Sequence, residues 1–245
     1  MNIKWKIQEL ARVIGYRISR FPVVDSVIDN DKNFLEIYSK CKEYTMTSRE
    51  KMYSLYKAVY YVIKTNLSSD FVECGVANGG STMLMAYTLL ELGITDRKIY
   101  LYDTFEGTTE PTEIDNYPRS DKWREEQVDG HSTWGFFSLE EVKINMSKTG
   151  YPKDNLFYIK GKVEDTIPKI MPSQIALLRL DTSWYEPSKH ELIHLFPLLS
   201  KSGVLIIDDY GLSVVGQKKA VDEYFSNKPI LLDRIDEYGV IGIKI

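Results

Sequence analysis

The chain is short of cysteine, of long apolar runs and of positive charge, and each shortage excludes a class of protein. Only two cysteines occur in 245 residues, Cys41 and Cys74. Two are too few for a disulfide framework, and Cys74 is expected to be a small buried side chain, so a cytoplasmic location is the simplest prediction. No stretch reaches the roughly 18 consecutive apolar residues of a membrane-spanning helix.

The formal net charge is −4 and the isoelectric point is about 5.6. Such an acidic chain is a poor partner for nucleic acids or for anionic membrane surfaces. Residues 1–15 alternate apolar and basic side chains at roughly helical spacing, without the apolar core of a signal peptide. We expect this segment to pack, or to join copies in a homo-oligomer, rather than to lie on a membrane.

From residue 70 onward, apolar runs alternate with amphipathic stretches, which predicts an α/β fold with a mostly parallel sheet. Only a short turn, 236–239, joins the last two predicted strands, so these must form an antiparallel hairpin. Seven strands closed by such a hairpin resemble the Rossmann-like fold of class I methyltransferases. The predicted strands are 70–76, 98–103, 155–160, 174–181, 203–208, 229–235 and 239–245, and the predicted helices are 80–93, 138–149, 164–171, 187–200 and 215–227.

Residues 1–69 are predicted to form a helical extension ahead of the main domain at 70–245. Within the extension, residues 47–50 resemble a capping box before an amphipathic helix. Within the main domain, residues 104–137 lack clear periodicity, which is typical of a lid or a binding loop. We expect a mobile lid whose aromatic side chains stack on a substrate, and an ordered loop for oligomer contact is the alternative. The aromatic residues are Trp123, Trp134, Phe136 and Phe137.

The segment 70–82 carries the strongest binding signal in the chain. An apolar strand turns through Gly75, Gly79 and Gly80 into a helical pattern. This arrangement lets a ligand approach the backbone and leaves unpaired amides at the start of the helix. The glycine spacing differs from the dinucleotide fingerprint, so the ligand needs no pyrophosphate. A turn with a purely structural role is the alternative.

Acidic residues end three other predicted strands. Asp103 follows the second strand, where it can accept hydrogen bonds from a ribose diol or cap the next segment. Asp181 and the pair Asp208 and Asp209 end two strands that should be neighbours. Three converging carboxylates repel one another unless a cation joins them, and oxygen ligands suit Mg²⁺. The alternatives are a turn cap with solvated acids, or an attraction for a cationic substrate.

Short motifs between residues 40 and 228 occur in an order that resembles a known family. They are YTMTS at 44–48, DFVECGV at 70–76, GGS at 79–81, YDTFEG at 102–107, LRLD at 178–181, YE at 185–186, IDDYG at 207–211 and AVDEYF at 220–225. Together they resemble the macrocin O-methyltransferase family. Its members use S-adenosylmethionine and Mg²⁺ to methylate sugar hydroxyls in macrolide and aminocoumarin biosynthesis.

The resemblance implies a binding site for S-adenosylmethionine at the glycine turn. The segment 45–48 would fold over the cofactor, Glu73 would lie near its methionine part, and Asp103 would bind its ribose. Val163, within the segment 161–165, would lie near the adenine. The implied cofactor-binding residues are Thr45, Met46, Ser48, Glu73, Gly75, Gly79, Ser81, Asp103, Phe105, Val163 and Asp181.

The resemblance also implies that Asp181, Asp208 and Asp209 bind Mg²⁺. The ion would lower the pKa of an acceptor hydroxyl and orient it toward the methyl group. No base is obvious, because position 184 is Trp where catechol-type relatives have a lysine. The candidates for the base are Asp181, His131, His190 and His194.

Two departures from the family pattern lie near the expected acceptor. Ser183 stands where many relatives carry a second acid, and an extra residue follows Gly211 within 212–216. The expected acceptor is a sugar, a glycosylated small molecule or a surface glycan with vicinal hydroxyls. The alternative functions are a metal-independent methyltransferase for a small molecule, and a non-catalytic subunit that binds S-adenosylmethionine.

Overall fold

The computed structural model describes residues 26–115, 118–128, 131–211 and 215–245. The expectations for residues 1–15 and for most of the extra segment after Gly211 therefore lie outside the described residues. The side chain of His131 also lies outside the described part of the structure, and only its backbone is described.

The predicted seven-stranded sheet is confirmed. It consists of β1 Asp70–Cys74, β2 Ile99–Asp103, β5 Leu156–Lys160, β6 Ile175–Leu180, β7 Leu199–Ile207, β8 Leu232–Arg234 and β9 Val240–Ile243. The strands lie side by side in the order β5-β2-β1-β6-β7-β9-β8. Strands β5, β2, β1, β6 and β7 run parallel, and β9 runs antiparallel to both β7 and β8, as the short turn requires. A separate hairpin pairs β3 Gln127–Val128 with β4 His131–Ser132.

Helices cover both faces of the sheet, which explains why its central strands are apolar on both sides. Alternate strand residues point to opposite faces, so Phe71 packs into one core and Val72 into the other. The helices are α1 Ser26–Asn30, α2 Lys32–Cys41, α3 Arg49–Lys64, α4 Gly80–Glu91, α5 Pro118–Glu125, α6 Leu139–Ser147, α7 Val163–Thr166, α8 Tyr185–Leu195 and α9 Val215–Phe225. One core contains residues of α1 to α4 and α6, and the other contains residues of α7 to α9.

Several predicted boundaries were wrong for local reasons. The helix predicted at 164–171 is only α7, because Ile167 precedes Pro168 and adopts an extended conformation. The helix predicted at 187–200 is α8 followed by a 3₁₀ turn, and β7 already begins at Leu199. The helix cap lies one residue later than predicted, since Ser48 accepts the hydrogen bond from the Lys51 amide at 3.2 Å.

The segment 104–137 contains more regular structure than its sequence predicts. It contains the 3₁₀ helix Glu113–Asp115, then α5, then the β3–β4 hairpin. Its first part lies directly after β2 and so next to the carboxyl edge of the sheet. Among the described residues, no helix combines the length and the apolar character needed to cross a membrane.

Candidate active site

A cavity of about 360 Å³ lies where β1, β2, β6 and β7 end. Ligand sites in open α/β sheets form at this edge, and the volume suits a small organic molecule. One part of its lining comes from the glycine turn, β2 and the start of α7, namely Gly75, Ala77, Asp103, Gly161 and Val163. Another part comes from the segment 104–137, namely Thr108, Thr109, Lys122, Trp134 and Gly135. The acidic residues Asp181, Asp208 and Asp209 lie on the same cavity.

Two glycines of the turn are required by close packing. Gly75 has a φ of +81°, and a Cβ there would overlap the carbonyl of Asp181 at the end of the neighbouring strand. A Cβ on Gly80 would overlap the Tyr44 carbonyl and the Thr45 side chain. The segment after α2 therefore folds against the glycine turn, which places Met46 and Thr47 on the cavity.

Asp103 ends β2 beside the glycine turn and accepts hydrogen bonds from three backbone amides. The Val76 and Ala77 amides donate to Oδ2 at 2.7 and 3.0 Å, and the Phe105 amide donates to Oδ1 at 2.8 Å. Burial raises the pKa of Asp103, although the amides act in the opposite direction. The carboxylate thus caps its own turn, and a carboxylate with about four acceptor positions keeps capacity for a ligand hydroxyl.

Glu73 lies beneath the cavity floor rather than on its surface. Its carboxylate is fully buried and is held by the hydroxyls of Ser81 and Thr82 and by the guanidinium of Arg179. In this position Glu73 and Ser81 connect β1, α4 and β6. Their predicted contact with the cofactor stays a prediction, since neither residue lines the cavity.

The three predicted metal-binding acids do converge. One carboxylate oxygen from each of Asp181, Asp208 and Asp209 lies within 4.8 Å of the others. Asp208 and Asp209 are buried, whereas the Asp181 side chain retains 24% exposure. Ser183, at the position where many relatives carry an acid, has a φ of +65° and donates to Asp209 at 2.7 Å.

Two buried cations that the sequence analysis missed partly neutralise these acids. Arg179 donates through Nη2 to Asp181 at 2.8 Å and to Asp208 at 2.6 Å. Lys51 donates through Nζ to a side-chain oxygen of Asp208 at 2.8 Å. The sequence does single out Arg179, because it is a charged residue within an otherwise apolar buried strand.

The pKa values of Asp181 and Asp208 are shifted in opposite directions. Burial alone would raise the pKa of Asp208, but Arg179 and Lys51 outweigh it and hold that pKa below its usual value. Burial raises the pKa of Asp181 well above its usual value, and the charge of Asp208 adds to this effect. With Glu73 included, four carboxylates face two cations, so two negative charges remain when all four are ionised.

The other predicted cofactor-binding residues are only partly brought to the cavity. Met46, Gly75, Asp103, Val163 and Asp181 line it. Thr45 accepts a hydrogen bond from the Thr47 amide, and Ser48 donates to Asp236 at 2.5 Å. Gly79 lies at the start of α4 with a φ of +90°, and Phe105 is buried under the segment that follows β2.

The structure does not bring His190 to the acids. Its Nε2 atom lies 2.9 Å from the Ile167 carbonyl, and its ring centre lies 4.2 Å from that of His194 on the same helix. Neither histidine lines the cavity. Of the described base candidates, only Asp181 lies where an acceptor hydroxyl could reach it.

Of the four aromatic residues predicted to stack on a substrate, Trp134 lines the cavity. Trp123 instead uses its indole nitrogen to donate to the Thr108 carbonyl at 2.8 Å. Phe137 packs against the core, and Phe136 is 49% exposed. The expected mobility of the segment 104–137 stays a prediction.

Comparisons with known proteins agree with this arrangement. The sequence model of a family described as Macrocin-O-methyltransferase (TylF) matches residues 29–242. This chain belongs to the macrocin O-methyltransferase family. It is therefore an O-methyltransferase that uses S-adenosylmethionine, which confirms the resemblance.

Two relatives illustrate the range of the family. The chain is 31% identical over 221 residues to the 8-demethyl-8-(2,3-dimethoxy-alpha-L-rhamnosyl)-tetracenomycin-C 4'-O-methyltransferase of Streptomyces olivaceus, which covers 90% of this chain and 82% of that protein. It is 31% identical over 199 residues to the demethyldecarbamoylnovobiocin O-methyltransferase of Streptomyces niveus, with coverage of 80% and 74%.

The solved structure of the O-methyltransferase NovP superposes on this chain with a TM-score of 0.73 at 29% identity, and the match covers 82% of each chain. Structures of more distant methyltransferases share the same fold, among them the S-adenosylhomocysteine-bound methyltransferase PaMTH1 of Podospora anserina, with a TM-score of 0.57 at 15% identity. The predicted class I methyltransferase fold is thus confirmed.

Proposed function

We propose that this enzyme transfers a methyl group from S-adenosylmethionine to a sugar hydroxyl, with a divalent cation such as Mg²⁺ bound by Asp181, Asp208 and Asp209. The observation that carries the proposal is the convergence of the three acids on a cavity that Asp103 also lines. The three carboxylates belong to a network that, with Glu73 included and all four acids ionised, keeps two negative charges beyond its two cations. Their oxygens form a donor set that matches a hard divalent cation.

The family relatives support a sugar as the acceptor. One of them is named for a rhamnosyl derivative of tetracenomycin, and another is named as a mycinamicin III 3''-O-methyltransferase, from Micromonospora griseorubida. Trp134, on the wall formed by the segment 104–137, offers an aromatic face of the kind that packs against a sugar ring. We therefore assign an acceptor with vicinal hydroxyls on a glycosylated small molecule or a glycan.

The chemistry is a displacement in which the acceptor oxygen attacks the methyl carbon, the carbon–sulfur bond breaks and the hydroxyl proton leaves. A divalent cation at the acids would polarise the hydroxyl and stabilise its negative charge. Asp181 is the residue best placed to accept the proton, because it is the most exposed of the three acids. Asp103 and the glycine turn bind the adenosine end, and Met46 covers the cavity from the side of the extension.

A second candidate function is a metal-independent methyl transfer to a cationic small molecule. The ion pairs of Asp208 with Arg179 and Lys51 favour it, because they show that the chain itself partly balances the acids. The two negative charges that remain would then attract an ammonium group. Removal of divalent ions separates the two candidates.

Replacing Asp103 tests the placement of the cofactor. We expect Asp103→Ala to weaken binding of S-adenosylhomocysteine by about tenfold or more, because charge-assisted hydrogen bonds to the ribose are lost together with the amide contacts that shape the turn. Asp103→Asn keeps one carbonyl oxygen for the amides and should show a smaller loss. Calorimetric titration measures both affinities, with Asp154→Asn, an exposed acid next to β5, as the control. If both Asp103 variants bound S-adenosylhomocysteine as tightly as the unmodified enzyme, Asp103 would not be the residue that binds the ribose.

A further inference from the structure

Helix α8 begins without a capping side chain of its own. The residue at its N-cap is Trp184, whose indole side chain has no acceptor atom and makes no hydrogen bond to the helix amides. The first amides of a helix need acceptors, and a buried amide without one is costly. In this protein the acceptor comes from a distant part of the chain, since Oδ1 of Asp115 accepts from the Tyr185 amide at 2.8 Å.

Asp115 is buried between the start of α8 and the start of α9. The residue is 3% exposed, and its Oδ2 atom accepts from the amide and the hydroxyl of Thr112 at 2.9 and 2.8 Å. A Cβ on Gly216, at the start of α9, would overlap the Asp115 carboxylate and crowd the Tyr185 amide. Glycine at 216 therefore makes room for this one carboxylate between the starts of α8 and α9.

Other contacts join the same two segments. The indole nitrogen of Trp184 donates to the Thr109 carbonyl at 2.8 Å, and its ring lies 5.8 Å from that of Trp134 in an edge-to-face arrangement. The segment 104–137 thus holds residues 184 and 185 through a buried carboxylate, a carbonyl and an aromatic ring. These residues directly follow Ser183, which binds Asp209, and lie close to Asp181 in the chain.

We propose that Asp115 is a positioning residue for the acid cluster. It caps α8 from the segment after β2 and so fixes the turn 181–185, which carries Asp181 and the Ser183 hydroxyl on Asp209. The proposal rests on the proposed function, because the position of the turn matters for catalysis through the acids that bind the cation. It also explains why the segment 104–137 shapes the site even where its residues do not line the cavity.

Hydrogen–deuterium exchange on the full-length enzyme tests the proposal. The variants are Asp115→Ala, Asp115→Asn and Gly216→Ala, and the control is Glu113→Ala, which removes an exposed acid from the same 3₁₀ helix. We expect Asp115→Ala and Gly216→Ala to speed exchange in a peptide covering 181–188 by about fivefold or more, as for loss of an N-cap. Asp115→Asn keeps one acceptor oxygen, so its exchange rate at 181–188 should lie between those of Asp115→Ala and Glu113→Ala.

Calorimetry on the same variants compares the affinities for Mn²⁺ and for S-adenosylhomocysteine. A general loss of stability would not weaken one of these affinities selectively. Binding of Mn²⁺, used as the probe ion, should weaken in Asp115→Ala, while binding of S-adenosylhomocysteine stays as in Glu113→Ala. The proposal is overturned if exchange at 181–188 matches that of Glu113→Ala, or if exchange rises equally along the whole chain. If the unmodified enzyme binds no Mn²⁺, the proposed metal site is wrong, and the exchange rates alone still decide the role of Asp115.

Discussion

Replacing Arg179 with methionine should lower the free energy of unfolding by about 3–5 kcal/mol, the usual effect of removing one partner from a buried ion pair. Arg179 is 1% exposed and is bonded to Glu73, Asp181 and Asp208. Methionine keeps much of the side-chain volume but leaves three carboxylates without their shared cation. Denaturant unfolding at neutral pH measures the difference.

The matched control is Lys40→Met, which removes a cation from the exposed pair between Lys40 and Glu36 on α2. Surface pairs contribute about 0–1 kcal/mol, so this variant should unfold almost as the unmodified protein does. The free energy of unfolding of Arg179→Lys should lie between those of Arg179→Met and Lys40→Met, because a lysine keeps the charge but cannot contact all three carboxylates in the same way. If Arg179→Met is as stable as Lys40→Met, the buried network does not stabilise the fold as described.

Asp181→Asn should reduce methyl transfer by about a hundredfold or more, because it removes both a ligand of the proposed cation and the best-placed proton acceptor. Asp181 is the acid of choice for this test, since Asp208 is more deeply buried between two cations. The affinity for S-adenosylhomocysteine should change far less than turnover. Transfer of a labelled methyl group to a panel of rhamnosyl glycosides, together with calorimetry, measures both.

Asp222→Asn is the control for this prediction, because it removes a carboxylate from the partly exposed pair with Lys218 on α9. This variant should retain full turnover. An Asp181→Asn enzyme with turnover equal to that of Asp222→Asn would show that Asp181 neither binds a catalytic cation nor accepts the proton.

Much of the fold follows from local patterns in the sequence. The buried strands are nearly continuous apolar runs, and the short turn at 236–239 leaves an antiparallel hairpin as the only possible connection. Helix ends are less predictable, since they depend on single residues such as Ile167 before Pro168. The segment 104–137 could not be predicted because its contacts, such as that of Asp115 with Tyr185, join residues far apart in the chain.

The acids of the site were predictable and their partners were not. Acids that end parallel strands must meet at one edge of the sheet, so the cluster of Asp181, Asp208 and Asp209 follows from strand positions alone. Lys51 lies 157 residues before Asp208, and no local pattern indicates that pair. The spacing of His190 and His194 places both on one helix face but does not say which way that face points, and it points away from the cavity.

Methyl transfer with and without divalent ions tests most directly whether the three acids act through a bound cation. The enzyme is treated with EDTA and assayed with labelled S-adenosylmethionine on the same panel of rhamnosyl glycosides, before and after Mg²⁺ is restored. We expect no transfer in EDTA, recovery with Mg²⁺, and binding of S-adenosylhomocysteine under both conditions. Equal transfer in EDTA and in Mg²⁺ would contradict this expectation, and would show that the three acids act without a metal.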